Sequence, residues 1–257
     1  MSRFQAASES LERSYGELQK KVACLSQELQ KEREERVRLE RLAAMGEMAM
    51  ELAHEIRNPL GSIELYASML EGEDAHQIVR SVRLLNHTVT NILHFGKPIQ
   101  PAFVITAVSE LFEEIRGFLQ PMASRNHIQI ETVCEAGSTI MADRELMHRM
   151  LLNLVLNALR ETPKEGTIRL EAHLAGSEVL LSVRDDGCGI PKVTLSRIFD
   201  PAFSTHREGC GLGLSIVKRI VESHDGTIDV SSSPKGTAFN IRLKRNMEVV
   251  SEPITCS

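Results

Sequence analysis

The sequence predicts two unlike parts: an α-helical hairpin that pairs with a second copy as a four-helix bundle, followed by an α/β sandwich. Three observations carry this. Apolar residues recur at heptad spacing up to Gly96. After Pro98 and Pro101 the pattern becomes mixed, with short alternating stretches between helical ones. Paired glycine motifs appear only in that second part, at 187–189 and 209–213.

Residues 8–40 are rich in charge and nearly free of Gly and Pro, and Leu11, Tyr15, Leu18, Val22, Leu25 and Leu29 form a heptad seam. Residues 1–40 are therefore read as a coiled coil. From Leu42 a second seam, Met45, Ala49, Leu52, Ile56, Pro59 and Ile63, is offset by one residue. Such a phase break changes the supercoil locally, either as a transmitter of rotation or as an imperfection. Within this helix lies Ala53-His54-Glu55-Ile56-Arg57-Asn58-Pro59-Leu60. His54 falls on the outward face. The start of a zinc-protease motif is broken, because Asn58 stands where the second histidine would be. Pro59 predicts a bend.

Glu71-Gly72-Glu73-Asp74 ends this pattern, with Asp74 expected to cap the next helix. Ile78, Val82, Leu85, Val89 and Ile92 give its seam. One stripe per helix buries little alone, so residues 41–97 are expected to form a homodimer with four central helices. A linker over 98–102 leads to a domain over 103–246, and the tail 247–257 is expected to be loose. In that domain the pattern predicts strands at 103–105, 128–133, 167–174, 179–185, 227–230 and 238–243. Helices are predicted at 108–122, after an Asp143 cap to about 160, and at 214–223.

The chain has 257 residues, 42% hydrophobic and 25% charged, as in an ordinary globular protein. No apolar run reaches the roughly 18 residues that cross a bilayer, and the N-terminus shows no signal-peptide pattern. Five cysteines without a C-x-x-C pair fit a reducing cytoplasm. A net charge of −5 excludes nucleic acid as an expected partner.

Four pieces of the second domain carry chemistry. Asn153 and Asn157 lie four apart, on one helix face, and carboxamide oxygens suit a hard cation such as magnesium. Asp185-Asp186-Gly187-Cys188-Gly189 follows a strand, where a buried Asp can accept from an exocyclic amine. Gly209-Cys210-Gly211-Leu212-Gly213 opens a helix whose free amides suit phosphate. Gly236-Thr237 precedes the last strand. Neither a dinucleotide fingerprint nor a Walker P-loop is present.

In order and spacing these pieces resemble the sensor histidine kinases of two-component systems, over about residues 40–245. The box at His54 is similar to their phosphoacceptor box, Asn153–Asn157 to the N box, Asp185–Gly189 and Gly209–Gly213 to the glycine boxes, and Phe199–Phe203 to the F box. The resemblance implies a cytoplasmic, dimeric kinase with a Bergerat-type ATP site that uses ATP and Mg2+. It phosphorylates itself on His54 and passes the group to an Asp of a response-regulator receiver. It implies that Glu55 orients or deprotonates the imidazole and that Asn58 positions water for dephosphorylating the partner. Asn157 would hold magnesium with Asn153 in support, Asp185 would read the adenine amine, and Gly187, Gly189, Gly209, Gly211 and Gly213 would shape the pocket, with Thr237 beside them. Its flavour is that of nitrogen-regulator-like and flagellar kinases, which pair with activators of sigma-54 transcription.

Three positions depart from the pattern. Arg160 stands where a phosphate-binding Lys is common, Ala202 where Phe is usual, and His206 where the segment usually ends in Lys. Two other readings stand beside the kinase. One is a hydrolytic ATPase of the same nucleotide fold, disfavoured because Asn153 occupies the place of the water-activating Glu. The other is a coiled-coil scaffold or degenerate kinase, disfavoured by the intact His54, Asn157 and Asp185. Input is expected from a protein acting on the coil over 1–40, or from the ATP domain itself.

Overall fold

The computed structural model describes residues 56–93, 99–201, 203–205 and 211–245, together with residue 21. The expected coiled coil, the tail, His54, Glu55, Ala202, His206 and Gly209 lie outside the described residues.

The hairpin is formed by α1, described over 56–68, and α2, Glu73–Leu93. Helix α1 continues through Pro59. Asp74 is not the cap of α2. It sits in the first turn with Glu73, where its charge meets the positive end of the helix dipole. Leu60 and Ala67 of α1 and Ala75 and Val82 of α2 are buried. The residues expected in the α1 seam, Ile56 and Ile63, are 44% and 45% exposed, and Ile78 and Leu85 of the α2 seam are 42% and 53% exposed. Each helix thus uses one stripe within the chain and leaves a second apolar stripe open.

The second part contains β1 (Val104–Ala107), α3 (Val108–Arg125), β2 (Gln129–Cys134), β3 (Thr139–Ala142), α4 (Arg144–Glu161), β4 (Thr167–Ala175), β5 (Glu178–Asp185), α5 (Lys192–Leu195), α6 (Gly213–Ser223), β6 (Thr227–Ser233) and β7 (Gly236–Lys244). Five strands form one sheet in the order β2-β4-β5-β7-β6, parallel only between β2 and β4. Strands β1 and β3 make a separate antiparallel pair.

Strict alternation places Ile168, Leu170 and Ala172 of β4 on one sheet face with Val179, Leu181 and Val183 of β5. Across the next ladder Val183 pairs with Phe239 and Leu181 with Ile241. These side chains meet the buried faces of α3 (Leu111, Phe112, Ile115), α4 (Met150, Leu151, Leu154) and α6 (Ile216, Val217, Ile220) in one core. Helix α3 runs a turn beyond its expected end because Ala123 is fully buried.

Asp143 caps α4 as expected. Its Oδ1 accepts from the Leu146 amide at 3.0 Å. Its Oδ2 accepts from the Ala102 amide at 2.9 Å, so the cap also anchors the end of the linker. His224 completes this junction. Its Nε2 accepts from the Asp143 amide at 3.0 Å, which leaves the proton on Nδ1 to donate to the Ile220 carbonyl at 2.8 Å. Phe103 stacks edge-on against the same ring.

Candidate nucleotide site

Helix α4 supplies the polar wall of the site. Asn153 and Asn157 lie one turn apart on it, and Arg160 follows, exposed, near its end. Strand β5 ends at Asp185, which is only 3% exposed. Its Oδ1 accepts from the Gly187 amide at 2.8 Å and the Thr237 amide at 3.2 Å. Burial pushes its carboxyl above the usual range, against the two amides that favour the ionised form.

Close packing at this corner requires glycine. A Cβ on Gly187 would sit 2.7 Å from Asp185 Oδ1 and 2.9 Å from the Glu161 carbonyl. At Gly236, with φ +134°, a Cβ would lie 1.9 Å from the Asp185 carbonyl oxygen. The loop after Gly189 is tied down by Ile190, whose amide donates to Ser232 Oγ at 2.7 Å. Ser232 in turn contacts the Thr237 hydroxyl at 3.2 Å.

Helix α6 opens at Gly213, and among the described residues no side-chain cap closes its first turn, whose amides suit an anion. A Cβ on Gly213 would lie 3.3 Å from Asn153 Oδ1, so the α6 N-terminus and the α4 carboxamides are neighbours. Phe199 packs edge-on against Phe239, and Arg197 lies over the Phe203 ring at 4.8 Å.

These elements enclose a cavity of about 240 Å³. The structure brings together there the sequence-selected Asn153, Asn157, Arg160, Asp185, Gly189, Gly211, Gly213 and Thr237. Gly187 stands behind Asp185 and does not line the space. Asn58 is elsewhere, exposed on α1. Gly209, His54 and Glu55 lie outside the described residues.

Among the lining residues that sequence reasoning missed, His87, Thr88 and Asn91 come from α2. Nothing local marks them, because their approach to α4 is a matter of packing between the two parts of the chain. Asn91 Nδ2 donates to Asn153 Oδ1 at 2.9 Å. Arg149 Nε donates to Asn91 Oδ1 at 2.6 Å, and Arg149 Nη2 to the Thr90 carbonyl at 3.0 Å. Burial lowers the Arg149 pKa to about 10, with Arg219 adding repulsion. Burial also lowers His87 to about 4, so it is neutral near pH 7.

Comparison with known proteins agrees with this geometry. Residues 142–247 match the family described as histidine kinase-, DNA gyrase B- and HSP90-like ATPase, and residues 44–101 match the His Kinase A (phospho-acceptor) domain. The chain belongs to the histidine kinases. It is 36% identical to the sensor histidine kinase ZraS of Escherichia coli (strain K12) over 225 residues, which are 83% of this chain and 48% of that protein. It is 34% identical to sporulation kinase A of Bacillus subtilis (strain 168), over 80% of this chain and 36% of the relative. The chain therefore spans about half, or less, of the length of these relatives.

Among solved structures, full-length ShkA in complex with AMPPNP is similar at TM-score 0.60 and 26% identity, over 77% of this chain and 46% of that one. Histidine kinase ThkA in complex with the response regulator TrrA is similar at TM-score 0.57 and 29% identity, over 85% of this chain and 67% of that one. A helical phosphoacceptor region followed by an α/β ATP-binding domain is thus the fold of this chain. Among the described residues no helix is long and apolar enough to cross a membrane.

Proposed function

We propose that this chain transfers the γ-phosphoryl group of ATP to His54 and then passes it to an aspartate of a response-regulator receiver domain. The observation that carries the reading is the single cavity that joins Asn157, Asp185 and the α6 N-terminus in a chain whose residues 44–101 match a phosphoacceptor domain. Neutral imidazole is a good nucleophile near pH 7, and Glu55 would hold its tautomer and take its proton. Asp185 would accept from the adenine amine through Oδ2, since Oδ1 is already held by two backbone amides. The amides opening α6, with Arg160, would receive the phosphates.

Magnesium bound with the nucleotide would neutralise charge on the phosphate oxygens. Asn157 would hold it. The donor set fits, because a carboxamide oxygen suits a hard cation that keeps phosphate oxygens and water for its other positions. Among the described residues no group of three His, Cys, Asp or Glu forms a rival metal site.

The exposed stripe of Ile56, Ile63, Tyr66, Ile78 and Leu85 supports assembly of two hairpins into a four-helix homodimer. We place the domain limits at 41–97 and 103–246, joined by a linker over 98–102, where the matched ranges are 44–101 and 142–247. Asn58, exposed one turn after His54 in sequence, would position water for dephosphorylating the receiver. Resemblance alone supports a sigma-54 activator as the receiver's owner, and an upstream protein acting on residues 1–40 as the input.

The test is transfer. The chain is labelled with γ-labelled ATP, freed of nucleotide and mixed with a panel of receiver domains. The label should move to one or a few receivers as an acyl phosphate that alkali releases. Release of free phosphate with no labelled protein at any time would instead favour simple hydrolysis.

A further inference from the structure

The polar contacts between α2 and α4 have a consequence for the nucleotide site. Every hydrogen-bonding atom of the Asn91 side chain is engaged. Its Oδ1 accepts from Arg149 Nε at 2.6 Å, and its Nδ2 faces Asn153 Oδ1 at 2.9 Å and His87 Nε2 at 3.0 Å. The two protons on Nδ2 serve both acceptors if neutral His87 carries its proton on Nδ1. Asn153 is engaged as fully. Its Oδ1 takes the Asn91 bond and lies 3.1 Å from His87 Nε2, while its Nδ2 donates to the Arg149 carbonyl at 3.0 Å. Asn91, Asn153 and Arg149 are 7%, 8% and 7% exposed, so little water is present to exchange for these partners.

This knot sits in the wall of the cavity. His87, Asn91, Asn153 and Gly213 all line it, and Asn153 Oδ1 is the atom a side chain on Gly213 would meet. The polyphosphate of a nucleotide reaching the α6 N-terminus therefore arrives beside an α2 surface whose Asn91 carboxamide is already engaged. Arg149, the cation in the knot, spends its Nε and Nη2 donors on Asn91 and Thr90.

We propose that Asn91 competes with bound nucleotide for the Asn153 carboxamide, so that the seat of α2 on α4 is a latch that opens as the nucleotide site fills. The inference rests on the nucleotide reading above. The latch reaches further than the cavity. The residue that takes the Arg149 Nη2 bond on its carbonyl, Thr90, receives Arg57 Nη2 on its Oγ1 at 2.9 Å. Arg57 stands three positions after His54 in the sequence. When Asn153 turns to the ligand, Asn91 and Arg149 lose their shared geometry, and the grip on the α1 turn next to the acceptor histidine loosens with it. Asn91 and Arg149 act through Asn153 and are positioning residues.

The test is the affinity of the full chain for a non-hydrolysable ATP analogue with magnesium, measured by titration calorimetry. Asn91→Ala removes the competitor, and affinity should rise about two- to tenfold, the worth of one neutral hydrogen bond. Structural damage cannot produce a gain. Because Asn91→Ala leaves the buried Arg149 Nε without its acceptor, the double variant Asn91→Ala/Arg149→Gln removes both groups and decides the matter where the single variant does not fold. Unchanged or weaker binding in the folded variant would overturn the latch, and weaker binding would mean that α2 helps to hold the nucleotide. A wild-type chain that binds no analogue would sink the nucleotide reading and the latch together.

Discussion

Replacing Asp185 by Asn separates recognition from stability in this site. Asp185 Oδ1 accepts from the Gly187 and Thr237 amides, which pins an acceptor at that position. In Asp185→Asn the carboxamide oxygen must stay there, and its nitrogen must take the place of Oδ2. A donor would then face the adenine amine, itself a donor. The lost charged hydrogen bond is worth about 1.5–3 kcal/mol, so ATP affinity should fall by roughly ten- to a hundredfold or more. The fold should respond in the opposite direction. Burial holds the Asp185 carboxyl above its ordinary range, so the ionised form is the less favoured one in the fold. That cost is absent below the ordinary carboxyl value, grows as pH rises, and is removed by a neutral carboxamide. Calorimetric titration with an ATP analogue, beside thermal melting without nucleotide, reads both. Wild-type affinity in Asp185→Asn would refute the adenine role, and a marked drop in melting temperature would show the carboxylate to be structural instead.

Other outcomes follow from particular contacts. Gly236→Ala should lose about 3 kcal/mol or more in urea unfolding, because a Cβ would lie 1.9 Å from the Asp185 carbonyl at φ +134°. Asn58→Ala should spare labelling by γ-labelled ATP and slow removal of phosphate from the receiver; if both fell together, the assigned division of labour would be wrong. The seat of α2 on α4 should weaken in acid. His87 falls from an ordinary 6.5 to about 4 through burial, with Arg149 and His148 opposing its proton. A depressed value means the contact is at full strength above pH 6.5 and is lost as pH falls toward 4. Protection of the α2 amides, corrected for the intrinsic exchange rate at each pH, should fall from pH 7 to 5 in wild type and be flat in His87→Gln.

Much of the second domain was legible because its elements keep strict periods. Strands β4, β5 and β7 begin or end within two residues of the predicted limits, and Asp143 caps α4 as its position suggested. Strand β3 was missed because Thr139–Ala142 is only four residues long and pairs with β1 outside the main sheet. The one-turn helix α5 was missed for the same want of length. In the hairpin the seam of Ile56 and Ile63 was legible as an apolar stripe, but which stripe closes within the chain was not. Leu60 and Ala67 are the described α1 residues that are buried. The nucleotide site was legible wherever a residue's chemistry is local, as at Asp185 and Asn157. The contribution of His87 and Asn91 was not, since it depends on how two separately patterned parts of the chain meet.

The most direct test of the central claim is labelling of the full chain with γ-labelled ATP and magnesium, for wild type and His54→Gln side by side. The account predicts an acid-labile, alkali-stable label on wild type, none on His54→Gln, and equal binding of an ATP analogue by both. A label that persists on His54→Gln, or one on wild type that survives acid, would contradict it.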